Sequence, residues 1–182
     1  MHRIALISAT IATLACADAG LLGNGDFQTD ADKDGKPDGW ALPTGASLEN
    51  EGGNRFLRLT GAGTSTQVAV FRELPAGAAK AVRVSFRIRC TDIKRGAENW
   101  HDARVVMEAK DAQKATIKGA FPHLNFKGST NGWVEKSFAR TLPDGTATIT
   151  IMPALFMVES GTFDIDDIKV AAIDPAEVPA AK

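Results

Sequence analysis

The residues best suited to chemistry in this sequence form an acidic stretch at positions 30–38, which reads DADKDGKPD. Its carboxylates stand at the first, third, fifth and ninth positions, as Asp30, Asp32, Asp34 and Asp38. Alternate side chains of a tight loop converge on one centre, and Ca²⁺ is coordinated by about six to eight oxygen atoms. With Gly35 at the sixth position for a sharp turn, the spacing predicts the front of a calcium loop, but Ala41 replaces the acid usual at position twelve. The alternative interpretation is a solvated acidic turn.

A second cluster of acids lies near the end of the sequence, where the alternation of apolar residues slips by one position. Ile165 is followed by the next apolar residue, Ile168, after three positions instead of two. A β-bulge at Asp166 and Asp167 would produce this slip, and bulges redirect side chains. One of the two carboxylates is therefore expected to face a polar or metal-binding site at the edge of a sheet. The alternative is an exposed bulge without a ligand.

Aromatic residues offer a third kind of chemistry, because sugar rings stack on flat side chains while nearby polar groups bind the hydroxyls. Trp100 lies in a polar stretch, residues 98–104, and is either a ligand contact or a lid over one end of the core. Residues 121–127, which read FPHLNFK, are candidates to line the same groove. Most of the nine phenylalanines lie in strand phase and are predicted to be core, among them Phe71, Phe86, Phe138 and Phe163.

Catalytic motifs are scarce, which favours a protein that is not an enzyme. Beyond residue 19 the histidines are His101 and His123, too few for a histidine-rich metal centre. The sequence contains no nucleophile elbow, phosphate loop or dinucleotide fingerprint. Four acids lie along one loop and one strand, and their spacing does not indicate the pair of carboxylates that a glycosidase requires. They are predicted to be solvated, and they are Glu98, Asp102, Glu108 and Asp111.

The elements that position these residues are predicted to be β-strands. In residues 80–90, apolar residues from Val82 to Cys90 alternate with polar ones, as in a strand with one side in water. Similar runs, separated by turn signals, occupy residues 55–60, 66–74, 102–109, 134–142, 146–152 and 162–170. These short strands predict an all-β fold, an antiparallel β-sandwich or jelly roll. Cys90 is predicted to be a buried, unreactive residue within it.

Length and charge limit the possible partners. The chain has 182 residues, 44% hydrophobic and 24% charged, with a net charge of −1, which is typical of one globular domain. Because basic and acidic residues balance, the sequence predicts no binding to nucleic acid. The domain is expected at residues 20–171, with a flexible tail at 172–182.

Residues 1–19 have the pattern of a secretory signal peptide. A short basic start is followed by an apolar run that is too short to span a bilayer, and small residues precede the expected cleavage after Ala19. Cleavage after Ala17 is an alternative, and lipidation at Cys16 is less expected. The sequence therefore predicts a secreted or periplasmic protein without a membrane span.

Four stretches, in this order, resemble the CenC-like carbohydrate-binding modules: LLGNGDFQ at 21–28, PDGW at 37–40, GWVEKSF at 132–138 and GTFDIDDIKV at 161–170. The resemblance implies a galactose-binding-domain-like jelly roll. In that family a structural calcium commonly bridges the first and last strands, at positions that match Gln28 and Asp167. The family has glutamate where Gln28 stands, so an anionic ligand is missing and the 30–38 loop is the other place for the ion. Trp40 and Trp133 are implied to be fold residues at strand ends.

The same resemblance implies a glycan site formed by aromatic and polar side chains. The residues placed near the ligand are Trp100, Arg104, His123, Asn125 and Lys127. The resulting prediction is a secreted, non-catalytic carbohydrate-binding module on a calcium-stabilised jelly roll. Its expected partners are a polysaccharide or glycan and a separate glycoside hydrolase. The alternative is a structural or adhesive cell-envelope protein that binds another protein, and a small hydrolase or lyase is least favoured.

Overall fold

The computed structural model describes residues 20–119 and 123–180, in which the chain forms ten β-strands and no α-helix. The strands are Ala46–Glu51 (β1), Asn54–Thr60 (β2), Gln67–Ala69 (β3), Arg72–Pro75 (β4), Ala81–Lys94 (β5), Ala103–Lys110 (β6), His123–Phe126 (β7), Val134–Thr141 (β8), Thr148–Phe156 (β9) and Ser160–Ile173 (β10). A short 3₁₀ turn, Pro175–Glu177, follows β10. The predicted signal peptide, its cleavage sites and Cys16 lie outside the described residues.

The first sheet contains five antiparallel strands in the order β1-β2-β10-β5-β8. Its register brings apolar residues of neighbouring strands side by side, because Ile165 of β10 pairs with Leu57 of β2 and Ile88 of β5. All three side chains are fully buried. Since side chains alternate along a strand, the residues between them point to the outer face of this sheet.

The second sheet is built around β9, which pairs with β6 on one side and with β3 and β4 on the other, while β7 pairs with β6. Ala69 pairs with Ala154 and Arg72 with Ile151, so β3 and β4 keep one continuous register against β9. Val105 of β6 is fully buried on the inner side, as is Ile151. One hydrophobic cluster includes inward residues of both sheets and therefore forms a single core between them.

The segment before β1 closes one end of this core. Phe27 and Trp40 are buried, with ring centroids 5.0 Å apart. The Trp40 indole Nε1–H donates a hydrogen bond to the carbonyl oxygen of Asn24 at 2.9 Å. Trp40 is thus a residue of the fold, as the sequence resemblance implies.

The predicted fold class, an all-β antiparallel jelly-roll sandwich, is confirmed. The register shift of β10 between Asp166 and Lys169 confirms the predicted bulge, with Asp167 at a positive φ of 51°. β10 continues to Ile173, two residues past the expected domain end at residue 171. Strands β1 and β7 were not predicted. Within the described part of the chain, no helix is long and apolar enough to cross a membrane.

Candidate functional site

The outward side of the second sheet, called the open face below, brings aromatic and polar groups together on a surface that solvent can reach. Its side chains come from alternate positions of the strands and are Phe71, Arg104, Val106, Glu108, His123, Asn125, Thr150, Met152 and Phe156. The inward residues of β6 are fully buried, whereas its outward residues are partly exposed. The alternation of β6 therefore separates a dry core side from a side that a ligand can reach.

One row of the open face is mainly apolar. The continuous register of β3 and β4 brings Phe71 opposite Met152, which pairs with Val106, which in turn pairs with His123. Phe71 is 59% exposed, more than any other large hydrophobic residue that the structure describes. Phe71 and His123 thus stand at the two ends of this row, where the exposed ring is suited to stack on the apolar face of a sugar and the imidazole to bind hydroxyls further along the chain of sugars.

The neighbouring row of the open face is polar. Ala154 of β9 pairs with Arg104 of β6, and Arg104 pairs with Asn125 of β7. The Arg104 guanidinium forms an ion pair with the buried carboxylate of Asp102, and the Asn125 amide donates to the same carboxylate at 3.3 Å. Arg104 also lies over the Phe156 ring, 5.7 Å from its centroid. Asp102 therefore fixes the orientation of the arginine and the amide.

A depression of about 100 Å³ lies at the end of this polar row, lined by Arg95, Asp102, Asn125, Phe126 and Lys127. Among the residues predicted for the glycan site, the structure thus brings together Arg104, Asn125 and Lys127, and it places His123 in the adjacent row. Trp100 lies on the connection before β6, 44% exposed and packed edge-on against His101 with centroids 4.2 Å apart. It does not line the depression.

Two features of the open face differ from the sequence prediction. Phe71 was expected in the core but is exposed, because Val70 takes the inward position and Phe71 the outward one. Asp102 was expected to be solvated but is 2% exposed, because Arg104 and Asn125 cover it. The alternation of Val68 and Val70 was the signal that could have identified Phe71. For Asp102, no local pattern shows that Arg104 folds back onto it.

The opposite edge of the open face carries a second ion pair, between Glu73 and Lys110. The hydrogen bond from Lys110 holds the pKa of Glu73 below its usual value. Thr150 lies between these strands, and its Oγ1 is buried without a hydrogen-bond partner among the described residues.

The outward side of the first sheet, called the charged face below, is organised differently. Asp164 is fully buried and accepts hydrogen bonds from Arg58 at 2.7 and 2.8 Å and from Arg89 at 2.9 Å. The hydrogen bond to Asp164 raises the pKa of Arg58. The Arg89 guanidinium lies between the Phe56 and Trp133 rings, at 5.2 and 4.8 Å from their centroids. Trp133 is therefore a residue of the fold, as the resemblance implies.

The bulge of β10 is part of the same charged face. Asp166 is fully buried and accepts hydrogen bonds from Arg87 at 2.6 Å and from Asn54 at 2.9 Å. Asp167 forms an ion pair with Arg87 at 2.8 Å. The two acids of the bulge thus share one arginine. The predicted polar site at the bulge is present, and a guanidinium occupies it.

Gln28, the other residue that the resemblance assigns to calcium, is engaged with β2. Its Nε2 donates to the Arg55 carbonyl at 2.8 Å, and its Oε1 accepts from the Arg55 amide at 3.2 Å. A glutamate could not donate to that carbonyl. The amide of Gln28 therefore serves the fold at this position.

The acidic loop brings three of its four carboxylates together. One oxygen each of Asp30, Asp32 and Asp38 lie within 4.8 Å of one another. Asp34 instead binds Lys36, whose backbone and side-chain nitrogens lie 2.8 and 3.1 Å from its carboxylate oxygens. These hydrogen bonds lower the pKa of Asp34. Of the predicted metal ligands, the structure thus groups three and separates Asp34 and Asp167 from them.

Cys90, the free cysteine of the described residues, belongs to the core. Its side chain is 1% exposed, and burial raises the pKa of its thiol to about 12. The thiol is therefore protonated at neutral pH and has no role in a reactive site. This confirms the prediction of a buried, unreactive residue.

No protein-family model and no curated protein matches the sequence. Among solved structures, the chain is similar to the enzymatically active domain of bacteriophage CBA120 tailspike protein 4, with a TM-score of 0.65 and 13% identity over 85% of this chain and 21% of that one. It is similar to TmCBM61 in complex with β-1,4-galactotriose, with a TM-score of 0.57 and 13% identity over 85% of this chain and 99% of that one. It is also similar to a CBM4 structure, with a TM-score of 0.54 and 16% identity over 83% and 99% of the two chains. The chain spans about a fifth of the tailspike structure and nearly all of the two modules, and these likenesses show a fold of the carbohydrate-binding-module type.

Proposed function

We propose that this protein is a secreted, non-catalytic carbohydrate-binding protein that binds a polysaccharide or glycan across the open face. The observation that carries the proposal is the exposed ring of Phe71 in a row with His123, beside the row that contains Arg104 and Asn125. Stacking on the ring supplies apolar contact, and the polar row supplies hydrogen bonds to hydroxyls. Lys127 and Trp100 are proposed to contact the ligand at the end of this surface.

The similarity in fold supports this proposal. The two modules match nearly over their whole length, and one of them is described in complex with a galactotriose. The affiliation with the CenC-like modules remains our inference from the four sequence stretches. Secretion rests on residues 1–19, and a separate glycoside hydrolase is the partner that we propose.

The absence of catalysis is supported by the state of the acids near the site. Asp102 is buried and its carboxylate is held by Arg104 and Asn125, so it is not placed to contact a glycosidic bond on the surface. Glu108 lies on the open face in the row of Thr150 and Glu73. A glycosidase needs two carboxylates that flank one bond, but of the other acids here Asp102 is buried and Glu73 is paired with Lys110.

The proposal is tested by affinity electrophoresis of the full chain in gels that contain soluble β-glucans, galactans, xylans or arabinans. We expect retardation by one class of polymer and its loss in the Phe71→Ala variant. The Trp100→Ala variant shows whether the connection before β6 takes part, since Trp100 is the other exposed large aromatic residue described. Absence of retardation in every gel would contradict the proposal and favour an envelope protein that binds another protein.

A further inference from the structure

The acidic loop at residues 30–38 has the composition of a cation site separate from the open face. The carboxylates of Asp30, Asp32 and Asp38 approach one another to within 4.8 Å. Like charges at this distance repel one another unless a cation lies between them. Every donor in the group is an oxygen atom, and oxygen is the ligand that hard divalent cations prefer.

One carboxylate oxygen of Asp30 is buried and contacts no hydrogen-bond donor in the part of the chain that the structure describes. Its side chain is 10% exposed, and its Oδ1 is buried without a hydrogen-bond partner among the described residues. The Arg55 guanidinium lies 3.9 Å from Oδ2, which is beyond hydrogen-bond distance. A buried carboxylate oxygen without a partner destabilises the fold, and a bound cation would remove this cost.

The other two acids of the group are held by the loop backbone, and each keeps one oxygen available. The Asp34 amide donates to Asp32 Oδ1 at 3.3 Å, and the Ala31 amide donates to Asp38 Oδ1 at 3.1 Å. Their second oxygens form no hydrogen bond or ion pair within residues 20–119 and 123–180. The sharp turn that allows this convergence passes through Gly35 at a φ of +82°.

We propose that the acidic loop binds one Ca²⁺ through Asp30, Asp32 and Asp38, with backbone carbonyl and water oxygens completing its coordination. Ca²⁺ accepts irregular shells of oxygen ligands, whereas Mg²⁺ requires a near-octahedral shell and retains several waters. We place the ion at the acidic loop and not at the bulge of β10, because Arg87 already pairs with both Asp166 and Asp167.

Binding at this loop is coupled to the stability of the domain. Asp38 lies two residues before the buried Trp40, and the Asn24 amide Nδ2 donates to the Asp38 carbonyl at 3.1 Å. A bound ion therefore fixes the segment that closes one end of the core. Because only the folded chain presents the converged carboxylates, the ion stabilises the folded state by mass action.

The test measures the thermal unfolding of the full chain in about 5 mM CaCl₂, in the same concentration of MgCl₂ and in EDTA, a range suited to the affinity of extracellular calcium sites. We expect Ca²⁺ to raise the Tm by about 5 °C over EDTA and Mg²⁺ to raise it less. Calorimetric titration with CaCl₂ should give one site per chain. Tb³⁺ provides a second probe, because excitation of the nearby Trp40 should sensitise its luminescence.

Variants decide where the ion binds. Asp30→Asn and Asp32→Asn should each abolish the calcium-induced rise in Tm and the Tb³⁺ luminescence. The matched control Asp144→Asn, which removes an exposed acid from another turn, should keep both, and so should Asp167→Asn. The exposed Asp32 allows this test even if Asp30→Asn fails to fold. The proposal is overturned if Ca²⁺ neither binds nor shifts the Tm of the unaltered chain, or if Asp32→Asn retains the response while Asp167→Asn loses it.

Discussion

The outer faces of the two sheets both arise from strand alternation, but one face pairs its charged groups internally and the other leaves an aromatic ring exposed. On the charged face, each buried carboxylate is matched by arginines, and the Phe56 and Trp133 rings cover the Arg89 guanidinium. On the open face, the Phe71 ring and the His123 side chain are exposed. A polar face that satisfies its own groups stabilises a fold, whereas one that leaves them available is suited to a ligand.

The largest effect that distinguishes the faces is expected at Asp164. The Asp164→Asn substitution keeps the shape but leaves Arg58 and Arg89 without their shared anion, so the free energy of unfolding should fall by about 3 kcal/mol. Urea denaturation measures this loss. Glu51→Gln is the matched control, because Glu51 pairs with Arg89 from an exposed position, and its cost should stay below about 0.5 kcal/mol. Equal losses of stability in the two variants would show that Asp164 does not hold the arginines of the charged face together in one network.

Arg104 is the point at which the open face resembles the charged face, because it pairs with a buried acid. Arg104→Ala should lower the free energy of unfolding by about 2 kcal/mol, since Asp102 keeps only the Asn125 amide. It should also weaken glycan binding several-fold. Arg104→Lys restores the charge but not the planar fork, so it should recover stability only in part. Denaturation and affinity electrophoresis of the same variants separate the two effects. If Arg104→Ala lowers stability and leaves binding unchanged, Arg104 belongs to the fold alone.

Alanine substitutions of one aromatic residue on each face, Phe71 and Trp133, compare the two faces directly. Phe71→Ala should weaken glycan binding about tenfold, equivalent to about 1.4 kcal/mol, because an exposed ring at a binding surface contributes mainly to the ligand. Its effect on unfolding should stay within about 0.5 kcal/mol. Trp133→Ala on the charged face should instead lower the free energy of unfolding by about 2 kcal/mol and leave binding unchanged. If both variants lose binding equally, ligand contact is not confined to the open face.

Most of the fold was predictable because strand alternation is strong where both sheets bury residues. The alternation of β5 predicted its buried face, and the phase slip predicted the bulge of β10. Strands β1 and β7 were missed, and both lie at sheet edges, where fewer residues are buried and the apolar alternation is weak. The alternation of apolar residues therefore predicted every central strand but only some of the edge strands.

The site was less predictable, because it depends on contacts between residues distant in sequence. The chemistry of His123 and Asn125 was recognisable from their types, although their strand was not. The role of Phe71 depends on whether its side chain points into the core or out of the sheet. The one local signal was its position directly after Val70, since neighbouring residues of a strand point to opposite faces. The pairing of Arg87 with Asp166 joins two neighbouring strands of the sheet, so no local sequence pattern could have shown it.

The smallest expected effect concerns the exposed ion pair between Glu73 and Lys110 at the edge of the open face. The hydrogen bond from Lys110 lowers the pKa of Glu73 in the folded chain, so the pair stabilises the protein above the unfolded pKa of Glu73, and the contribution is lost as the pH falls through the folded value. The Tm difference between the unaltered chain and Glu73→Gln should therefore be present at a pH of about 6 and vanish near about 3. Added salt should reduce the same difference at the higher pH, because exposed pairs are screened. Glu159→Gln, which removes an exposed acid from a turn, should show no such pH dependence. A Tm difference that is independent of pH would mean that Glu73 stabilises the edge of the open face through the packing of its side chain and not through its ion pair with Lys110.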